Sequence, residues 1–160
     1  MLRWFFLSTL AICALQGATT ASQTVSMSIA SISNLTTSGN PNAMSVSIGS
    51  DGTGSATDNT TTYTITSNTN ASGTLKITGI ISSGGNMPTN TTLAVALASH
   101  SGSSQGSQTL TSSSTDLITG LPTLVSDTGS ITYTFSVQNG WTVPTQTISR
   151  TVTFTITSAS

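Results

Sequence analysis

Apolar residues occupy every second position over long stretches of this chain, with Ser or Thr between them, as in Ile131-Thr132-Tyr133-Thr134-Phe135-Ser136-Val137. A period of two puts alternate side chains on opposite faces of an extended strand, so one face enters a core and the other meets water. Val25, Met27 and Ile29 share one parity, and Ile32 and Leu35 then fall out of step, which predicts a first strand with a bulge near Ala30-Ser31. Met44, Val46 and Ile48 predict a second strand, ended by the turn-forming run Gly49-Ser50-Asp51-Gly52-Thr53-Gly54. Tyr63 and Ile65 fall on a third strand and Leu75 and Ile77 on a fourth, the two joined as a hairpin. Leu93, Val95 and Leu97 alternate with alanines instead of hydroxyl residues, which predicts a central strand partly covered on both faces. Residues 100–114, rich in Ser, Gly and Gln, read as a mobile connection with a hint of strand at Thr109-Leu110-Thr111. Leu117, Ile118 and Leu121 cluster before Pro122. In the last third, Ile131, Tyr133, Phe135 and Val137 form one strand and Ile148, Val152, Phe154 and Ile156 another, which predicts an antiparallel hairpin in the core.

Strand signals punctuated by Gly, Asn and Pro, with no helical period after the first 21 residues, predict an all-β fold. The expected architecture is an antiparallel immunoglobulin-like β-sandwich of about seven to nine strands, preceded by a signal-peptide helix. At 160 residues the chain has room for one such domain. Of these residues, 63 are Ser or Thr and only 4% are charged, so hydroxyls must wet the surface that charges wet in most proteins. Disorder would need high net charge and few periodic apolar residues; here the net charge is −1 and the apolar residues are β-branched and periodic. With no surplus of Lys and Arg, the chain lacks the electrostatic footprint that nucleic acid requires.

Residues 1–21 read as a secretory signal peptide: Arg3 supplies the positive start, Trp4 to Leu15 the apolar stretch, and Ala18 or Ala21 the cleavage position. That stretch is too short to cross a bilayer comfortably and no second one follows, so no membrane span is expected after cleavage. The domain proper is then residues 22–160, and its expected place is outside the cell or on the cell surface, by way of a periplasm where there is one. Cys13 is the sole cysteine and lies within the leader, which leaves the mature domain without a disulfide or a thiol nucleophile.

Candidate chemistry is sparse, and no catalytic, cofactor-binding or metal site is assigned. His100, in Ala98-Ser99-His100-Ser101-Gly102, reads as an exposed loop histidine, because no Ser sits in the strand-turn-helix elbow that a hydrolase nucleophile uses. Asp51 and Asp58 bracket a Gly-rich turn without the alternating carboxylates that calcium needs. Gly49-x-x-Gly52-x-Gly54 is followed by no Lys and opens no helix, so it offers a phosphate few donors. Glutamate is absent from the chain. Asn34, Asn59, Asn70 and Asn90 fit the N-glycosylation acceptor pattern. Arg150 shares the parity of the inward residues around it and is expected either at a bulge or at the rim, paired with Asp127 or Asp116. Trp141 lies in the Asn139-Gly140-Trp141-Thr142-Val143-Pro144 loop, where it is either a lid on the sandwich or an exposed contact residue.

The stretch from Trp141 through Val143-Pro144 to Thr151-Val152-Thr153-Phe154-Thr155-Ile156-Thr157 resembles the closing strand of bacterial exported sandwich domains, among them spore-coat-U-like and WxL-like surface domains and fimbrial subunits. Tyr63-Thr64-Ile65-Thr66-Ser67-Asn68 and Leu75-Lys76-Ile77-Thr78 have the same character. The resemblance implies a bacterial envelope or extracellular setting. On this basis the chain is expected to be a non-enzymatic surface or filament subunit, associating with itself or with other surface subunits by strand pairing and needing no cofactor. Residues 23–33 are the expected donated strand, with Val25, Met27 and Ile29 as the side chains that fill a neighbour's groove. The alternative is an extracellular binding module whose loops, Trp141 among them, meet a glycan or a host protein.

Overall fold

The computed structural model describes residues 22–69 and 73–159. The expected signal peptide and Asn70 lie outside the described residues. Among the described residues nine strands form: β1 (Ser33–Thr37), β2 (Gly54–Asn68), β3 (Leu75–Ser83), β4 (Thr91–Leu97), β5 (Ser103–Ser104), β6 (Gln108–Thr109), β7 (Thr115–Leu121), β8 (Leu124–Val137) and β9 (Thr151–Ser158). They build two antiparallel sheets, β1-β2-β8-β4-β6 and β5-β7-β3-β9, and the all-β class and the sandwich read from the sequence are what is observed. Among the described residues, one short 3₁₀ turn at Gly140–Thr142 is the sole helical element. No helix among them is long and apolar enough to cross a membrane.

Period-two patterning sets the layers. Along β2 and β8, Tyr63, Ile65, Val125, Ile131, Tyr133 and Val137 point inward and are buried, while the hydroxyl residues between them face out. Opposite, Leu75, Ile77, Leu117, Ile118 and Leu121 supply the other half of the core. Each such side chain contributes about 1.5–3 kcal/mol on burial. Leu117 and Ile118 are neighbours in sequence and both are buried, which an ideal strand forbids; a register shift between β3 and β7 around Ile77 turns both inward.

Strand pairing departs from the expectation. The expected hairpin of Tyr63-Ile65 with Leu75-Ile77 does not form: β2 pairs with β1 and β8, whereas β3 lies in the other sheet. The last two strands are not a hairpin either, because β8 pairs with β2 and β4 and β9 with β3. Alternation fixes which face of a strand is buried and says nothing of which neighbour it bonds. The strand with Ala on its outer face, β4, is flanked by β8 and by two-residue β6, so the centre of that sheet is β8; Ala94 and Ala96 are half-buried as expected. Met44, Val46 and Ile48 form no strand, and neither do Val25, Met27 and Ile29.

The two sides of the sandwich differ. On the β5/β6 side, Leu110 is buried and its amide bonds the Leu93 carbonyl of one sheet, while the Thr111 carbonyl accepts from Ile81 of the other, so the chain stitches the layers together. On the opposite side, β1 and β9 are both sheet edges, and the inward residues of β9 (Val152, Phe154 and Ile156) are only half-buried.

Candidate functional site

A cleft of about 1110 Å³ opens between β9 and the inner face of β8 and β4. Its apolar floor is Leu35, Leu93, Tyr133, Phe135, Val152 and Phe154, and residues 39–48 and 143–150, outside any strand, form its walls. Phe135 is only half-buried although its parity is inward, because it lines this cleft. Along this opening, β9 presents an edge to which no strand among the described residues is bonded. Such an edge carries a row of backbone donors and acceptors ready to pair.

The N-terminal arm carries the complementary pattern. Val25, Met27 and Ile29 are 70%, 89% and 91% exposed, and no part of residues 22–32 lies in a strand. The arm is tied to the domain through Asn68 at the end of β2. The Asn68 amide donates to the Ile32 carbonyl at 3.0 Å, its side-chain Nδ2 donates to the Ala30 carbonyl at 3.1 Å, and its Oδ1 accepts from the Ile32 amide. Nothing in the sequence pattern signals that the Asn68 side chain reaches another segment.

Arg150 stands at the rim of the cleft, one residue before β9, as one of its two expected placements requires. The expected carboxylate partner is not there. Its Nη1 donates to the Ser149 carbonyl and its Nη2 to the Asn86 carbonyl, and its buried Nε has no partner. Asp116 pairs instead with Lys76, at 3.0 Å. Asp127, inward-facing on β8 and buried, anchors the loop after β4: it accepts from Ser99 Oγ, the His100 and Ser101 amides, its neighbour's amide at Thr128, and His100 Nδ1 at 3.2 Å. Burial pushes the Asp127 carboxyl up, but the His100 and Ser101 amides, with the His100 ring and the Ser99 hydroxyl, outweigh it and hold the group below the usual carboxylate range. The His100 side chain is 78% exposed, and Ser99 bonds the carboxylate directly, so Ser99 and His100 share Asp127 as acceptor and the three form no relay.

At the far end, Trp141 is 71% exposed and is therefore no lid. Its indole lies against Gly52, which has a φ of +79°; a Cβ there would stand 2.6 Å from Trp141 Nε1. The Gly140 amide donates to the Gly52 carbonyl, and Asn90 Nδ2 donates to Thr142 Oγ1, so the turn that carries Trp141 is held from two sides. Asp51 accepts from the Thr53 amide and hydroxyl, as a turn residue does. Asn34, Asn59 and Asn90 are all exposed. Among the described residues, no group of three or more His, Cys, Asp or Glu is placed to hold a metal ion.

No protein-family model, no curated protein and no solved structure matches this chain.

Proposed function

We propose that the chain is an exported, non-enzymatic structural subunit of a surface filament, in which the arm of one copy completes the sandwich of the next. The observation that carries this reading is the match between an unpaired arm, apolar at every second residue, and an apolar cleft bordered by the free edge of β9. Laid along β9, residues 23–29 extend that sheet by backbone hydrogen bonds, and Val25, Met27 and Ile29 enter the cleft on one face. Main-chain pairing supplies affinity and the buried side chains supply register. The resemblance of the last strand to those of fimbrial and spore-coat-U-like domains supports the same assignment. Removing residues 22–29 should leave a folded monomer and abolish assembly on size-exclusion chromatography and electron microscopy; undiminished assembly of the shortened chain rejects the proposal.

A second reading, an extracellular binding module, is favoured by Trp141, a large exposed aromatic ring on a braced turn. A glycan array on the intact protein and on Trp141→Ala decides it: specific binding lost with the ring supports this reading, and identical profiles remove it.

A further inference from the structure

An arm attached to its own domain is present there at an effective concentration in the millimolar range, so it fills its own cleft ahead of any neighbour unless geometry forbids it. The proposed assembly, on which this inference rests, therefore needs a device against self-closure. We infer that Asn68 is that device: a positioning residue that holds the root of the arm extended and thereby directs the arm to a second copy of the chain.

The arm joins the sandwich at Ser33, at the start of β1, and β1 is the sheet edge facing β9. To enter its own cleft the arm has to double back beside β1, which requires a tight turn within residues 30–33. At roughly 3.3 Å per residue, the eight residues before that turn are long enough to run the length of β9, so reach does not prevent closure. Conformation does. The Asn68 side chain extends β2 by one imitation peptide group: Oδ1 accepts from Ile32 and Nδ2 donates to Ala30, while the Asn68 amide bonds the Ile32 carbonyl. These partners also fix the orientation of the amide, since only oxygen can face an N–H and only nitrogen a carbonyl. A turn at Ala30-Ser31-Ile32 breaks all three bonds.

The sequence of the root acts in the same direction. Residues 22–33 contain no Gly, Pro, Asn or Asp; of the residues that favour tight turns only Ser is present, and its hydroxyl supports them more weakly. Ile32, whose side chain shares a shallow apolar recess with Leu124 and Val125 beside Asn68, would be pulled from it by the turn. Alanine at position 68 keeps the backbone bond to Ile32 and loses both side-chain bonds, which should shift the balance between self-closure and assembly by about tenfold toward closure.

The sole cysteine of the chain, Cys13, precedes the domain, so a Cys13→Ser chain is a clean background for paired labels. In the full chain with Ser26→Cys and Thr151→Cys, both on the outward face, a short bis-maleimide should link copies into a covalent ladder. Adding Asn68→Ala should convert most of that ladder into internally linked monomer, and the monomer should melt above the chain lacking residues 22–29, because its cleft is filled. An unchanged ladder from Asn68→Ala overturns the role of Asn68 and leaves the assembly proposal standing. Absence of a ladder from the chain with Asn68 intact overturns both. A monomer without internal links, melting no higher than the shortened chain, also overturns the inference. Should Asn68→Ala fail to fold, Asn68→Asp, which keeps the acceptor for Ile32 and loses the donor to Ala30, is read by the same two measurements.

Discussion

Two segments of this protein have the same pattern and opposite surroundings. Residues 131–137 and residues 25–29 both place an apolar residue at every second position with hydroxyls between, yet Ile131 is fully buried and Ile29 is 91% exposed. The difference is that β8 has a bonded neighbour on each side, β2 and β4, whereas residues 25–29 pair with no strand among the described residues. Alternation specifies a strand with one apolar face; it leaves open which molecule supplies the sheet. Under the proposed assembly, the arm keeps its core pattern for the sheet of a neighbouring copy.

The sharpest break between the two segments should come from truncating one isoleucine in each. Ile131→Ala should cost about 2–5 kcal/mol, lowering Tm by roughly 10 °C in thermal unfolding of the subunit. Ile29→Ala should leave subunit Tm unchanged within about 1 °C while weakening assembly, seen as a shift to smaller species on size-exclusion chromatography. Next in size is Gly129→Ala on β8. A Cβ there would lie 1.9 Å from the Ala98 carbonyl oxygen and 2.6 Å from the Tyr63 ring, and Ala98 is held there by the Tyr63 hydroxyl and the Ser130 carbonyl, so about 2–3 kcal/mol should be lost in denaturant titration.

A smaller effect separates apolar from polar positions on the inner face of β8. Asp127→Asn should cost about 1–2 kcal/mol, because the loop after β4 loses its charged acceptor. The same carboxyl sets a pH dependence. Its folded-state value is depressed, so its contribution is fully present above the usual carboxylate range and is lost as pH falls through the depressed value. Acid unfolding should therefore show a step below that range which Asp127→Asn flattens. The smallest effect belongs to the exposed turn: Trp141→Ala should change stability by about 0.5 kcal/mol or less.

Much of the sandwich was legible before any coordinates. The parities of Tyr63 and Ile65, of Leu93, Val95 and Leu97, and of Ile131 to Val137 mark inward faces correctly, because burial obeys a local period. Pairing was not legible. The hairpins read into β2 with β3 and β8 with β9 fail because those links cross between layers, and a linker of a given length serves either geometry. Met44, Val46 and Ile48 alternate as well as any strand, yet no neighbour offers them an edge, and they wall the cleft instead. Of the candidate site, Val25, Met27, Ile29 and Trp141 were singled out in the sequence and all four prove solvent-exposed. The clamp on Ala30 and Ile32 was not foreseen: Asn68 is 38 residues from Ala30 in sequence, and no periodicity announces a contact of that kind.

The central claim is that β9 is an unfinished edge awaiting the arm of another copy. Hydrogen exchange of the Thr151–Ser158 amides reports on it directly, in the chain lacking residues 22–29, with and without a synthetic peptide of residues 22–33. The account predicts that the peptide slows exchange at alternate β9 amides, and that a peptide with Val25, Met27 and Ile29 all replaced by Ser does not. Exchange along β9 that is the same with and without the unaltered peptide would contradict it.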